Sequence, residues 1–210
     1  MENIQYLTGK FLAPLGACRG FRFVNCGLGI LLALLAVTSD MKAQCPTNID
    51  PVSVTWTAVA TPITTTFSCP LGTCTIAAHY CTRLVPNPPL TPIVEIYIDE
   101  MTITGSCACV SFNAALALAK QTIWNFIGSG FPACSSTDIL TGTAYTSSCM
   151  DPIPTFGGID YVPCDLGSSY CAQTCTLCYS GGVVTSTDCS FSTVGTPDCQ
   201  GSPCFQVTCE

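Results

Sequence analysis

The sequence predicts an α+β fold, predominantly β, in a disulfide-rich extracellular domain with one amphipathic helix packed on a sheet. Three observations predict it: a cysteine content near one residue in ten beyond residue 43, runs dense in Val, Ile and Thr, and a single stretch of helical periodicity at 111–127.

The amino-terminal 43 residues read as a signal peptide. Lys10, Arg19 and Arg22 precede an unbroken apolar run at 27–37. That run is far short of the ~20 residues a spanning helix needs and within the ~7–15 of a signal-peptide core. Val37-Thr38-Ser39 offers small side chains at the last and third-last positions and Met41-Lys42-Ala43 only at the last, which puts cleavage within 39–44, so the mature chain is expected to begin between 40 and 45. Lipidation of Cys45 is disfavoured, because Lys42 and Gln44 stand where a lipoprotein signal wants small side chains. Localisation is then secreted or cell-surface.

An exported chain oxidises its thiols. Of 18 cysteines, Cys18 and Cys26 leave with the leader. The 16 that remain are Cys45, Cys69, Cys74, Cys81, Cys107, Cys109, Cys134, Cys149, Cys164, Cys171, Cys175, Cys178, Cys189, Cys199, Cys204 and Cys209. The even number predicts up to eight bridges, each restricting the unfolded chain by ~3 kcal/mol for a loop of about 15 residues. The pairing itself is not readable from the sequence.

Charge excludes several partners. Beyond residue 43 only Arg83 and Lys120 are basic, against 11 acids, so the net charge is 2 − 11 = −9. Nucleic acid and anionic membrane surfaces are excluded, since both recruit clustered cations. Self-association, another extracellular protein or a glycan are the partners left open.

The β-rich region, 44–150, begins with VSVTWTAVATPITTTF (52–67), read as one or two strands broken near Pro62. VPNPPLTP (85–92) reads as a loop. In IVEIYIDEMTITG (93–105), Val94, Ile96 and Ile98 share one face while Glu95, Tyr97 and Asp99 share the other. Met101 and Ile103 then switch parity, which predicts a bulge near Asp99.

The helix follows, with Ser111 as N-cap and Gly128 and Gly130 closing its far end. Phe112, Leu116, Ala119, Ile123 and Ile127 form its apolar stripe. Lys120 is expected in solvent, and Trp124 with Phe126, off the stripe, mark a candidate interaction surface.

DPIPTFGG (151–158) reads as a linker-like loop opening a cysteine-rich β region, 151–210, within the same compact domain. There YCAQTCTLCY, the turn-like SGG and VVTSTDCSF form a candidate hairpin.

Cys171, Cys175 and Cys178 carry the C-x3-C-x2-C spacing with which S-adenosylmethionine radical enzymes hold an iron–sulfur cluster. On a strand, Cys171 and Cys175 face one way and Cys178 the other, so three ligands cannot converge. Only 32 residues follow, too few for the barrel such enzymes need. Cys69, Cys74, His79 and Cys81 fit no common zinc spacing. Cys107 and Cys109, close enough to chelate, are as easily bridged to two different partners. No metal and no cofactor are expected.

Catalysis is hard to assemble. His79 is the single histidine, and no G-x-S-x-G elbow is present. Two carboxylates suffice for glycoside hydrolysis, but Glu95 and Asp99 on one strand face stand roughly 13 Å apart, beyond the ~5–9.5 Å required. Pairs drawn from Glu100, Asp151, Asp160 or Asp165 stay open. The function expected is a secreted or cell-surface structural, adhesive or binding module without catalysis. A carboxylate-based, glycosidase-like extracellular hydrolase is the alternative, and a cysteine-rich effector or inhibitor the next.

Overall fold

The computed structural model describes residues 43–51, 53–87, 91–135, 140–164, 169–200 and 203–209. The signal-peptide reading of 1–43 therefore lies outside the described residues, apart from Ala43, and Asp165 lies outside them too. Residues 42–210 form one compact unit.

Strands β1 (Thr57–Ala58), β2 (Ile63–Cys69), β3 (Gly72–Val85) and β4 (Ile93–Gly105) precede helix α1 (Phe112–Ile127), which runs into a 3-10 turn at Gly128–Gly130. Six strands follow: β5 (Leu140–Ser147), β6 (Cys149–Thr155), β7 (Gly158–Pro163), β8 (Ser169–Ser180), β9 (Val183–Gly195) and β10 (Phe205–Gln206). All ten join one sheet, so the domain is β-dominated α+β, as its composition predicts.

β4 organises the sheet. One edge pairs with β3 along its length. The other edge is divided, with 93–98 running parallel to β5 and 101–104 antiparallel to β7. The parallel pair requires a long crossover, which α1 supplies. From there the sheet extends through β8 to β9 on one side and through β6 to β10 on the other.

The bulge expected near Asp99 is present: Tyr80 pairs with Ile98 and His79 with Glu100, leaving Asp99 unmatched. It moves Met101 and Ile103 onto the face of Ile96 and Ile98, so the apolar residues of both halves meet one core.

That core lies under α1. Ser111 caps the helix, its Oγ accepting from the Ala114 N–H at 3.2 Å. Leu116, Ala119, Ile123 and Trp124 pack on Ile76, Tyr80, Ile98 and Met101. The helix is buried over a wider arc than its stripe. Gly142 on β5 allows this, since a Cβ there would sit 2.1 Å from Leu177 Cδ1 and 3.2 Å from the Trp124 ring.

Residues 151–158 correct the sequence reading. They are not a linker but the β6–β7 hairpin, turning at Phe156 and Gly157. Pro152 and Pro154 are tolerated because β10 covers only Cys149 and Met150, so the rest of β6 is an open edge that needs no N–H donors there. The β8–β9 hairpin matches its reading. Gly181 and Gly182 form its two-residue turn with φ of 60° and 87°, where L side chains are strained.

Candidate functional site

The sheet face opposite α1 is covered by residues 43–51 and 53–56, which lie outside the strands. Ala43 and Ile49 are buried there with Tyr97, Tyr145 and Tyr170, and Trp56 packs edge-on to Tyr97 and Tyr145. The Cys45–Cys81 bridge ties the segment to β3. The Tyr170 hydroxyl donates to Asn48 Oδ1.

Arg83 is the centre of this attachment. Its Nε donates to Glu95 Oε2 at 2.6 Å, and its other nitrogens donate to the carbonyls of Ile49, Asp50, Pro51 and Val54 at 2.7–3.2 Å. Trp56 stacks on the guanidinium, 4.3 Å from ring centroid to Cζ. The Tyr145 hydroxyl donates to the other Glu95 oxygen at 3.2 Å. Burial, then the charge of Glu95 and its hydrogen bond, push the Tyr145 phenol far up. Nε and both hydrogens of Nη1 are engaged, and Nη2 donates to the Asp50 carbonyl, so the guanidinium is committed to Glu95 and this segment. Above it lies a shallow depression of about 240 Å³ between Pro46, Val54 and Trp56. Glu95 is therefore a structural carboxylate.

A second group lies further along the same face. Asp99 and Glu100 on β4 and Asp160 on β7 interact through their charges, with His79 opposite Glu100 in the ladder. Burial raises both β4 carboxyls. For Glu100 the charges of Asp160 and Asp99 add to it, while Asp99 is drawn back by the Gln44 N–H and by His79. The Gln44 N–H donates to Asp99 Oδ2 at 2.7 Å. The His79 Nδ1 and one oxygen of Asp151 are buried without hydrogen-bond partners. The bulge accounts for this grouping, since it places Glu100 rather than Asp99 opposite His79.

All sixteen cysteines among the described residues pair: Cys45–Cys81, Cys69–Cys109, Cys74–Cys107, Cys134–Cys178, Cys149–Cys199, Cys164–Cys204, Cys171–Cys209 and Cys175–Cys189. Cys171, Cys175 and Cys178 go to three different partners. Cys107 and Cys109 bridge separately to the β2–β3 hairpin. Among the described residues, the three candidate metal-ligand atoms that lie within 4.8 Å of one another are the sulfurs of Cys149, Cys199 and Cys204, all engaged in bridges.

The candidate interaction surface needs correcting. Phe126 is 69% exposed, but Trp124 is buried, its ring 6.3 Å from that of Phe131. Lys120, expected in solvent, is 8% exposed and donates to Gln173 Oε1 at 3.0 Å. Burial lowers its amine to about 8. Helical periodicity ranks apolar residues and is blind to a lysine whose stem packs inward.

One surface feature was missed. Strand β9 is exposed at every position but Val184 and pairs only with β8. Asn125 Oδ1 and Gln121 Nε2 take the Val184 N–H and carbonyl. Beyond them, 185–195 has no backbone partner on its outer side among the described residues. The sequence signal was the scarcity of charge in VVTSTDCSFSTVG. No protein-family profile, no curated protein and no solved structure matches this chain.

Proposed function

We propose that the chain is a secreted or cell-surface structural and adhesive module without catalysis, which assembles by adding a strand of a second copy to the open edge of β9. The observation that carries this is the unpartnered edge at 185–195. Exposed main-chain donors and acceptors are a template for another strand. Charge favours a second copy at this place. Two molecules of net charge −9 repel, but β9 carries one charged residue, Asp188, in 13. Antiparallel pairing about Phe191 brings the half-exposed Phe191 side chains together, while Asp188 sits at the register shift of β9 with a φ of 49°, off the regular ladder.

Light scattering across a concentration series tests it. The parent is expected to dimerise, with amides of 185–195 gaining hydrogen-exchange protection in the dimer. Phe191→Lys, an edge charge, keeps the chain monomeric. A parent that stays monomeric at millimolar concentration overturns the reading.

A second reading, the carboxylate-based hydrolase, draws on the grouping of Asp99, Glu100 and Asp160. Turnover of a polysaccharide or ester that Glu100→Gln abolishes, with folding intact, would establish it.

A further inference from the structure

Among the described residues the acidic group on the outer face has no lysine or arginine beside it; the basic side chain that faces it is His79, whose charge draws Asp99 down. Glu100 is 7% exposed, and burial together with the charges of Asp160 and Asp99 raises its carboxyl. A buried carboxylate is costly to ionise, and two neighbouring acids make it more so. Arg83 and Lys120, the side-chain cations beyond residue 43, are committed to Glu95 and to Gln173. The contact that does reach the group is a main-chain nitrogen, that of Gln44, at Asp99 Oδ2.

We infer that processing cuts between Ala43 and Gln44, and that the α-ammonium it creates at Gln44 is the cation this acidic group holds. The inference rests on the export reading above. Cleavage removes Lys42 and one buried methyl group, that of Ala43, and turns a neutral N–H into a positively charged group with three donors. The existing bond to Asp99 becomes an ion pair, and Glu100, next to it on β4, and Asp160 on β7 add to the field that keeps the amine protonated; His79 on β3 and Asp151 on β6 are the other titratable groups on this face. The Cys45–Cys81 bridge, one residue on, fixes the new terminus in place.

A chemical consequence follows. An amino-terminal glutamine cyclises when its neutral amine attacks its own side-chain amide carbon, forming a ring C–N bond and releasing ammonia. An amine held as ammonium by Asp99 has no lone pair for that attack, so Gln44 stays open.

The test takes full-length protein through export in an expressing cell and reads the product by terminal sequencing and intact mass. Gln44 is expected first, without the loss of about 17 Da that cyclisation causes. Its amine, followed by pH-dependent acylation and peptide mapping that separates it from Lys120, should titrate above the ordinary value of about 8. Asp99→Asn should raise acylation at pH 8 about tenfold and allow cyclisation; Glu100→Gln, the milder change, should shift both in the same direction. The disulfide mass of each variant reports folding. A start at 40–43 or at Cys45, a cyclised parent, or an amine indifferent to both variants overturns the inference while leaving export standing. A retained Met1 overturns export itself.

Discussion

Arg83 Nε and Glu95 Oε2 lie 2.6 Å apart with side chains 1% and 6% exposed, and the pair fastens residues 49–54 to the sheet through four carbonyls. A buried ion pair need not add net stability over an apolar pair, but removing one partner strands a charge. Glu95→Ala should therefore lower unfolding stability by about 3–5 kcal/mol. Hydrogen exchange would rise across 49–54, whose acceptors lose an oriented donor. Loss of stability under 1 kcal/mol would mean that water reaches Arg83.

Both sites that trypsin could cut beyond residue 43 are withdrawn, Arg83 at 5% and Lys120 at 8% exposure. Cleavage requires local opening. The oxidised protein should remain intact through overnight digestion that degrades its reduced form within minutes. Rapid nicking at Lys120 in the oxidised protein would contradict the burial of α1 on this side.

Lys120 also sets a pH dependence. An amine lowered from 10.5 to about 8 binds its proton less readily folded than unfolded, so stability rises as pH climbs through that window. Lys120→Met removes the term. The variant should match or exceed the parent below pH 8 and lose up to about 3 kcal/mol of its relative advantage by pH 10.5, measured by denaturant unfolding. A pH-independent difference would place Lys120 in water.

Gly142→Ala places a methyl group where Leu177 and Trp124 close over the backbone. Overpacking of this kind costs about 1–3 kcal/mol. Trp124 fluorescence should shift with it. A neutral substitution would show that the core yields there.

The parts of this fold that were legible in the sequence are those dictated within a few residues. Ser111 starts the helix because capping is local, the parity switch after Ile98 gave the bulge because strand side chains alternate, and Gly181-Gly182 gave the hairpin through positive φ. What escaped depends on partners distant in the chain. Pro152 and Pro154 argue for a loop until β6 is known to be an edge. Lys120 reads as solvated until β8 supplies Gln173. Arg83 and Glu95 occupy adjacent strands, yet their role depends on a segment about thirty residues earlier, crossing the far face. The grouping of Glu100 with Asp160 depends on β7 reaching β4, which no local pattern records.

The central claim is that every cysteine beyond residue 43 is a staple holding one sheet and its helix together. Peptide mapping of the unreduced protein by mass spectrometry tests it most directly, at Cys171, Cys175 and Cys178. Each is predicted to be joined to a different partner, Cys209, Cys189 and Cys134, with no alkylatable thiol and no iron. A bridge between any two of the three, free thiols among them, or stoichiometric iron would contradict the account.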